Sequence, residues 1–573
     1  MRLNKLTIGS PKNGQTHQFK NLKDITIDFD QNQWVSVIIG WNGTGKSNIL
    51  EALAVIFREL IGGKKIKIGF SFKLSYTMGP PGNAKYIHID HDPDRIKDQF
   101  HIHVATDQDL ASGDSAEPLR LARQGDHPVG KAIKLGTFLA EGDAYLPRYV
   151  FSYYSGESTR MHEVFRPYLE SYDSKLRNGE DPGMKRLFYA MPVHSQFVLL
   201  AFLIQQTPMV RDFLDVQLGL NPDEGIESVL FVLREPPWKS KAPDGDPRFW
   251  NARGVVRDFL ARLYDIALAP IEVKRRVATS IWNKETLQFK YLYIKNIDAL
   301  RVLVGDQPPA QFFRDLESTY VSELIEEVRI KLRLRKNDDT VTFRELSEGE
   351  QQLLTVLGLL RFTAEEESLF LLDEPDTHLN PRWSVDYLGY LEKFIGSDSH
   401  RKSTSHILLT THNPLGVAEL VKEQVQILRL ETKSSSRQLI ACHPEMDPRG
   451  MGYAAIVTSD MFGIASSLDQ PTQLLLERQR NLAGKSRLTS EEQSSLDLIN
   501  GQLGRLGFMF FHPDDEYSRY LRLRNNLLTE RFNTENASVL ADHVVQLTRD
   551  EREGLAKTLI SKMLEEEEAL NES

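Results

Sequence analysis

The chain has 573 residues, 40% of them hydrophobic and 26% charged, with a net charge of −10 and one cysteine, Cys442. That length predicts about two to four lobes, and the composition is ordinary for a soluble globular protein. One thiol excludes an internal disulfide and a multi-cysteine metal site; an acidic chain is no generic polyanion binder, so any nucleic-acid contact needs a local basic patch.

Leu3 to Ile8 alternates like a strand, and the N-terminus lacks the apolar core of a signal peptide. With no apolar run long enough to span a bilayer near the motifs, a cytoplasmic protein is expected. A polar loop follows, then a second strand within Phe19–Phe29.

Val35 to Ile39 reads as a buried strand, and Gly40-Trp-Asn-Gly-Thr-Gly-Lys-Ser47 fits G-x-x-x-x-G-K-S at every fixed position. Ile49, Leu50, Leu53, Ala54 and Phe57 then recur at helical spacing. Strand, glycine-rich loop and helix are the context in which backbone N–H groups cradle a polyphosphate. Asn42, Gly43, Thr44, Gly45, Lys46, Ser47 and Asn48 are therefore the expected ATP-binding residues, with Lys46 as the phosphate clamp and Ser47 as a Mg²⁺ ligand.

Strands are expected within Phe70–Tyr76, Tyr86–Ile89 and Phe100–Val104, polar loops over 105–146, and another strand from Arg148 ending in Tyr153-Tyr-Ser-Gly156. From about 160 to 327 the pattern is mainly helical, with Phe197–Ile204 apolar on all sides, a short strand at Val229–Leu233, and an aromatic-pinned loop over 236–250. Val328 to Lys336 alternates strictly, placing Arg329, Lys331, Arg333 and Arg335 on one face, with a turn at Asn337–Asp339 and a return over Thr340–Phe343. That stripe is either the solvated face of a half-buried sheet or a phosphate-backbone contact.

Three further motifs follow. Leu346-Ser-Glu-Gly-Glu350 opens an apolar helix, where Ser347 and Gly349 could meet a phosphate; alone it is a helix N-cap. Ser368–Pro375 is a buried strand ending in two acids, with Asp373 expected at Mg²⁺ and Glu374 as the base for the attacking water. His406–Leu415 is another buried strand, ending at His412, which could touch the γ-phosphate.

Together these motifs resemble the ABC-type ATPase fold, over residues 1–60, 148–156 and 321–430. Leu-Ser-Glu-Gly-Glu departs from the transporter signature Leu-Ser-Gly-Gly-Gln at two positions, and Asn380 stands where transporters carry an aspartate. The signature form, the strand before the phosphate loop and Gly45-Lys-Ser-Asn-Ile-Leu-Glu-Ala52 resemble the SMC and recombination-repair branch. No glutamine follows the strand at 148–154; Tyr153-Tyr-Ser-Gly156, with the compact insertion, resembles the ATPase subunits of bacterial anti-phage systems of the Septu and retron-associated kind.

The resemblance implies an α/β P-loop head with an inserted mainly helical lobe and a C-terminal helical extension, divided as 1–160, 161–320, 321–445 and 446–573. It implies ATP and Mg²⁺, a homodimer through the ATP sites in which Ser347 and Gly349 act in trans, room for a higher oligomer, and a separate effector, a nuclease. DNA or RNA is a further candidate ligand, and no membrane is expected. Glu374, Lys46 and His412 are the expected catalytic set. The alternatives are a DNA-repair clamp of the recombination-mediator kind and a self-contained nuclease. His512-Pro-Asp-Asp-Glu516 invites the latter, but no second carboxylate motif supports it. In the tail, Thr489-x-x-Glu492 is a capping box, Leu496, Ile499, Leu503 and Leu506 form one stripe, and 549–573 reads as an amphipathic helix.

Overall fold

The computed structural model describes the chain except residues 11–16, 31, 64–65, 112–129, 157, 279–283, 336–339, 364–366, 396–403, 434–435, 465, 484, 486–487, 509–519, 521–522, 525–526, 529, 532–546 and 572–573. The chain opens with β1 (Arg2–Ile8), β2 (Ile25–Asp28) and β3 (Val35–Gly40), which feeds α1 (Lys46–Gly62). β4 (Phe72–Met78), β5 (Lys85–His91), β6 (Phe100–Thr106), β7 (Lys131–Ile133) and β8 (Tyr149–Tyr154) follow. Next come α2 (Arg160–Arg177), β9 (Leu187–Tyr189), α3 (Val193–Ile204), β10 (Ile226–Arg234) and α4 (Gly254–Ile266). β11 (Leu268–Ala278), β12 (Lys284–Ile294), α5 (Ile297–Val304) and α6 (Pro309–Val321) lead into β13 (Ile325–Arg333), β14 (Thr340–Thr342) and α7 (Glu348–Thr363). β15 (Ser368–Asp373), α8 (Pro381–Ile395), β16 (His406–Thr410), β17 (Val425–Lys433) and β18 (Ser436–Cys442) complete the head.

The central sheet runs β18-β17-β3-β16-β15-β8-β9, with only β18 antiparallel to its neighbour. β15 and β16 are buried at every residue, which is why they read as continuous apolar runs rather than alternating ones. Alternate side chains feed two different cores. Leu369, Leu371 and Leu408 join the buried face of α1 and the antiparallel sheet β2-β1-β4-β5-β6-β7. Phe370, Leu372, Ile407 and Leu409 join α3, α6, α7 and α8 on the other side. A one-residue slip of either strand would exchange the two sets, so the register is held by both cores at once. This places the ends of β3, β15 and β16 side by side, the edge at which parallel sheets bind ligands.

Residues 161–320 carry more helix than strand, but they also supply β9, β10, β11 and β12. β10, β11 and β12 join β13 and β14 in one antiparallel sheet, β11-β12-β10-β13-β14, so the expected boundary near 320 falls inside a continuous sheet. Its inner face, Val229, Phe231, Leu233, Leu292, Val328 and Ile330, is part of the second core. The β11–β12 hairpin was not expected, although Leu287, Phe289, Tyr291 and Tyr293 alternate with period two; the charges of Lys274, Arg275 and Arg276 obscured its partner strand. The turn expected at 337–339 lies outside the described residues.

One buried ionic cluster ties this region together. Glu317 on α6 takes Lys185 on one carboxylate oxygen and His194 Nε2 at 2.6 Å on the other. Met191 N–H donates to His194 Nδ1 at 2.7 Å, which fixes the ring's tautomer. Burial alone would raise the Glu317 pKa, but His194 and Lys185 outweigh it and hold the carboxyl at about 2.

The contacts divide the chain into two compact units, Met1–Gly463 and Ile464–Ser573. In the second, α9 (Gln470–Ala483) packs on α10 (Ser490–Arg505), and α11 (Arg549–Asn571) closes the chain. Thr489 and Glu492 form the expected capping box. Leu496, Ile499 and Leu503 are buried, whereas Leu506 is exposed, because the helix ends at Arg505 and the stripe ends with it. His512–Glu516 lies outside the described residues. Among the described residues no single helix is long and apolar enough to cross a membrane.

Candidate nucleotide site

The phosphate loop begins where β3 leaves the sheet. Gly43 and Gly45 have φ of +83° and +95°, left-handed values that a Cβ disfavours. Gly45 is the N-cap of α1 and offers no side chain to cap it, so the first N–H groups of the helix stay available to an anion. Lys46 Nζ donates to Gly40 O at 2.9 Å, closing the loop on itself. Burial lowers the Lys46 pKa, while Glu374 and Asp373 draw it back up. Thr44 is buried with its hydroxyl on Trp41 O at 2.8 Å, and Asn42 is exposed at the loop's tip. Asn21, which sequence reasoning missed, braces the loop from below. Its amide donates to Gly43 O at 3.2 Å and accepts from Asn48 Nδ2 at 2.7 Å.

Asp373 ends β15, fully buried. Burial raises its pKa; Thr410 and Ser47 pull it down again, and Glu374 pushes it up. Thr410 Oγ1 donates to Asp373 Oδ1, but Oδ2 is buried with no hydrogen-bond partner. A buried carboxylate oxygen without a donor calls for an ion. Together with the adjacent Ser47 hydroxyl it makes a hard oxygen pair suited to Mg²⁺, which takes its remaining ligands from phosphates and water. No group of three or more His, Cys, Asp or Glu among the described residues forms a larger metal cluster.

Glu374 has φ of +50°, a strained value for a side chain of its size. Its N–H is held by Thr410 O at 3.0 Å, and this turn swings its carboxylate to His412, Oε1 to Nδ1 3.2 Å. Asp376, also missed from the sequence, accepts the Thr411 hydroxyl at 3.0 and 2.8 Å and so fixes the backbone before His412. The run Leu409-Thr-Thr-His412 was the available signal, since each of its hydroxyls meets one of the two buried acids. Arg160, at the start of α2, lies over the Tyr154 ring, 3.5 Å from Asn48 Oδ1, and exerts a charge effect on Asp373. No local motif marked it.

Lys46, Ser47, Asp373, Glu374 and His412 thus converge. Ser347 and Gly349 are placed differently: the hydrogen bonds of Ser347 stay within the turn that opens α7, and Gly349 packs on the loop that follows Glu374. Ser347 is the N-cap, with Ser347 N and Oγ on Glu350 Oε2 at 2.7 and 2.8 Å, a capping box that explains the glutamate at the fifth motif position. Gly349 is pressed against the loop after Glu374; a Cβ there would lie 2.6 Å from His378 O. Asn380 Oδ1 accepts Trp383 N–H at 2.9 Å and caps α8. Glu374, Ser155, His378 and Glu348 border a shared cavity of about 630 Å³.

Three of the four cations of the basic stripe are paired with acids. Arg333 pairs with Glu224 at 2.9 Å, Arg335 with Asp215, and Arg329 with Glu327 at 2.8 Å.

The AAA ATPase domain family matches residues 1–107, and residues 223–418 match an AAA domain whose description names the AbiEii toxin of a type IV TA system. The Septu protein PtuA of Bacillus mycoides (strain KBAB4) is 24% identical over 137 residues, 23% of this chain; the match spans 18% of that protein's length. Among solved structures, the SMC head domain from Thermotoga maritima aligns with a TM-score of 0.30 and 12% identity, covering 78% of this chain and all of that one. The Smc head domain of Pyrococcus furiosus aligns at 0.27 and 11%, covering 77% and 96%. One family match holds the phosphate loop and the other holds Ser347, Asp373, Glu374 and His412; the loop, Asp373 and His412 stand at the ends of the adjacent strands β3, β15 and β16 of one sheet, so the chain carries a P-loop ATPase head.

Proposed function

We propose that the chain is an ATP-hydrolysing switch that works as a homodimer and controls a separate effector, a nuclease, in a bacterial anti-phage defence system, acting in the cytoplasm. The observation that carries this reading is the division of the site: Lys46, Ser47, Asp373, Glu374 and His412 converge within one chain, while the side chain of Ser347 is turned into the capping box of α7 and not toward them. A second copy, docked head to tail, completes the site by bringing that helix N-terminus to the γ-phosphate. The likeness to the Septu protein PtuA supports the defence role and the separate effector.

In this reading Lys46 holds the β- and γ-phosphates, and Ser47 and Asp373 hold Mg²⁺. Mg²⁺, when bound, offsets the phosphate charge. Glu374 orients a water whose oxygen attacks the γ-phosphorus; the bond to the β–γ bridging oxygen breaks, ADP leaves, and the water's proton passes to the Glu374 carboxylate. Before ATP arrives, that carboxylate is engaged by His412. The γ-phosphate offers His412 a competing partner and so frees the base only when substrate is present.

The test is affinity capture from the native host with tagged Glu374→Gln, which should bind ATP but turn it over slowly, beside Lys46→Ala as the nucleotide-free control. A nuclease recovered with the first variant supports the reading. Recovery of DNA alone moves the repair-clamp reading to first place.

A further inference from the structure

The sheet β11-β12-β10-β13-β14 buries one face in the core; the other is buried at Ser228, Val232 and Phe289 but exposed at Ile271, Val273, Arg275, Tyr293, Arg329 and Lys331. Residues directly opposite each other in an antiparallel sheet share a face. The register therefore places Tyr293 beside Leu230, Leu230 beside Arg329, and Ser228 beside Lys331. Farther along, Arg275 lies beside Leu287 and Val273 beside Phe289, on the same face. Tyr293 is 38% exposed, and Arg275, Arg329 and Lys331 are exposed as well.

Charge and shape on this face differ from the rest of an acidic chain. Arg275, Arg329, Lys331 and Arg344 stand against Glu327, which binds two of them, Arg329 at 2.8 Å and Arg344 at 2.5 Å. Arg275 lies over Phe289 and Tyr291, 5.8 and 5.6 Å from the ring centroids, and so holds cationic charge above aromatic faces. A groove of about 490 Å³ runs beside Tyr293, Arg329 and Lys331. At its edge Gln196 Oε1 is buried without a hydrogen-bond partner; the Tyr291 hydroxyl on the same sheet face also lacks one. From the Arg275 strand to the Lys331 strand is three strand spacings, about 14 Å.

We propose that this open face binds a single-stranded nucleic acid. The exposed Tyr293 ring and the exposed aliphatic side chains of Ile271 and Val273, set between cations, suit bases that are free to stack, which a duplex does not present, while the cations take the phosphates. The position differs from the four-cation stripe read from the sequence. Arg333 and Arg335 each have an acid of their own, Glu224 and Asp215, whereas Arg329 and Arg344 share the single Glu327, and Arg275, Arg344, Tyr291 and Tyr293 enter from elsewhere in the chain.

The test uses the full-length protein without nucleotide and fluorescence anisotropy of labelled oligothymidylate and oligouridylate of about twelve residues, with a duplex of equal length. Its outcome is independent of ATP turnover. Single strands are expected to bind at least tenfold tighter than the duplex. Tyr293→Ala should weaken them about tenfold and leave the salt dependence unchanged, with Tyr293→Phe restoring binding. Lys331→Gln should flatten the logarithmic salt slope by about 0.7. Arg335→Gln should change affinity less than twofold. The proposal is overturned if neither strand binds at micromolar protein, if the duplex binds as tightly as the single strands, or if Tyr293→Ala and Lys331→Gln bind like the wild type.

Discussion

Gly349→Ala separates the catalytic geometry from the stability of the head. The added Cβ would lie 2.6 Å from His378 O and 3.4 Å from its carbonyl carbon, both backbone atoms that cannot swing aside. Either α7 or the loop from Glu374 to Asn380 must shift. Overpacking of this kind costs about 1–3 kcal/mol, and alanine returns about 1 kcal/mol over glycine in a helix, so the net loss is at most about 2 kcal/mol. The head should still fold. Turnover is more sensitive: the loop that must move follows Glu374 directly, and a displacement near 1 Å at a reacting group costs about 100-fold. The expected result is kcat down about 100-fold with the affinity for a fluorescent ATP analogue unchanged, since the phosphate loop is untouched. Phosphate release, nucleotide titration and thermal melting measure the three quantities. Gly389→Ala, in α8 with nothing within 4 Å of the new Cβ, is the control. A kcat within threefold of wild type, or a parallel loss of ATP binding, would refute the argument.

Other substitutions test separate parts of the structure. Asn21→Ala removes the brace under Gly43 and Asn48 and should weaken ATP binding about tenfold while leaving the melting temperature nearly unchanged, read by nucleotide titration. Chelation of Mg²⁺ should abolish phosphate release and, on re-addition, restore it in wild type but not in Asp373→Asn. Glu317→Gln strands Lys185 as an unpaired buried cation and should cost about 3–5 kcal/mol in chemical denaturation at pH 7. The sign follows from the depressed carboxyl: with a folded pKa of about 2 against 4.5, its stabilisation is complete above pH 4.5 and is lost as pH falls toward 2. The wild-type advantage over Glu317→Gln should therefore persist from pH 8 to pH 5; an advantage that vanishes in that window contradicts the assignment.

The head was legible because its motifs are local. Gly40–Ser47 and Ser368–Glu374 carry both their secondary structure and their chemistry within one contiguous run, and the buried parallel strands announce themselves by unbroken apolar sequence. What could not be read joins distant positions. Asn21 reaches Gly43, Thr411 reaches Asp376, and Arg160 reaches Asn48, none through a pattern of spacing. The basic stripe shows the same limit in reverse. Its alternation was visible, but the acids that neutralise Arg333 and Arg335 lie more than a hundred residues earlier, at Glu224 and Asp215. β11 escaped because an exposed, charged edge strand lacks the apolar signal that buried ones carry, and without it the alternation of β12 had no visible partner.

The division of the active site between two copies is tested most directly by mixing two inactive variants. Lys46→Ala loses the phosphate clamp. Ser347→Asp keeps the cap of α7 but sets a carboxylate where the γ-phosphate would meet it. Each should be nearly inactive alone. Randomly paired, half of the dimers are mixed, and each mixed dimer holds one intact site, so the equimolar mixture should recover about a quarter of wild-type turnover. A mixture no more active than its parents would contradict the shared site and with it the dimeric switch.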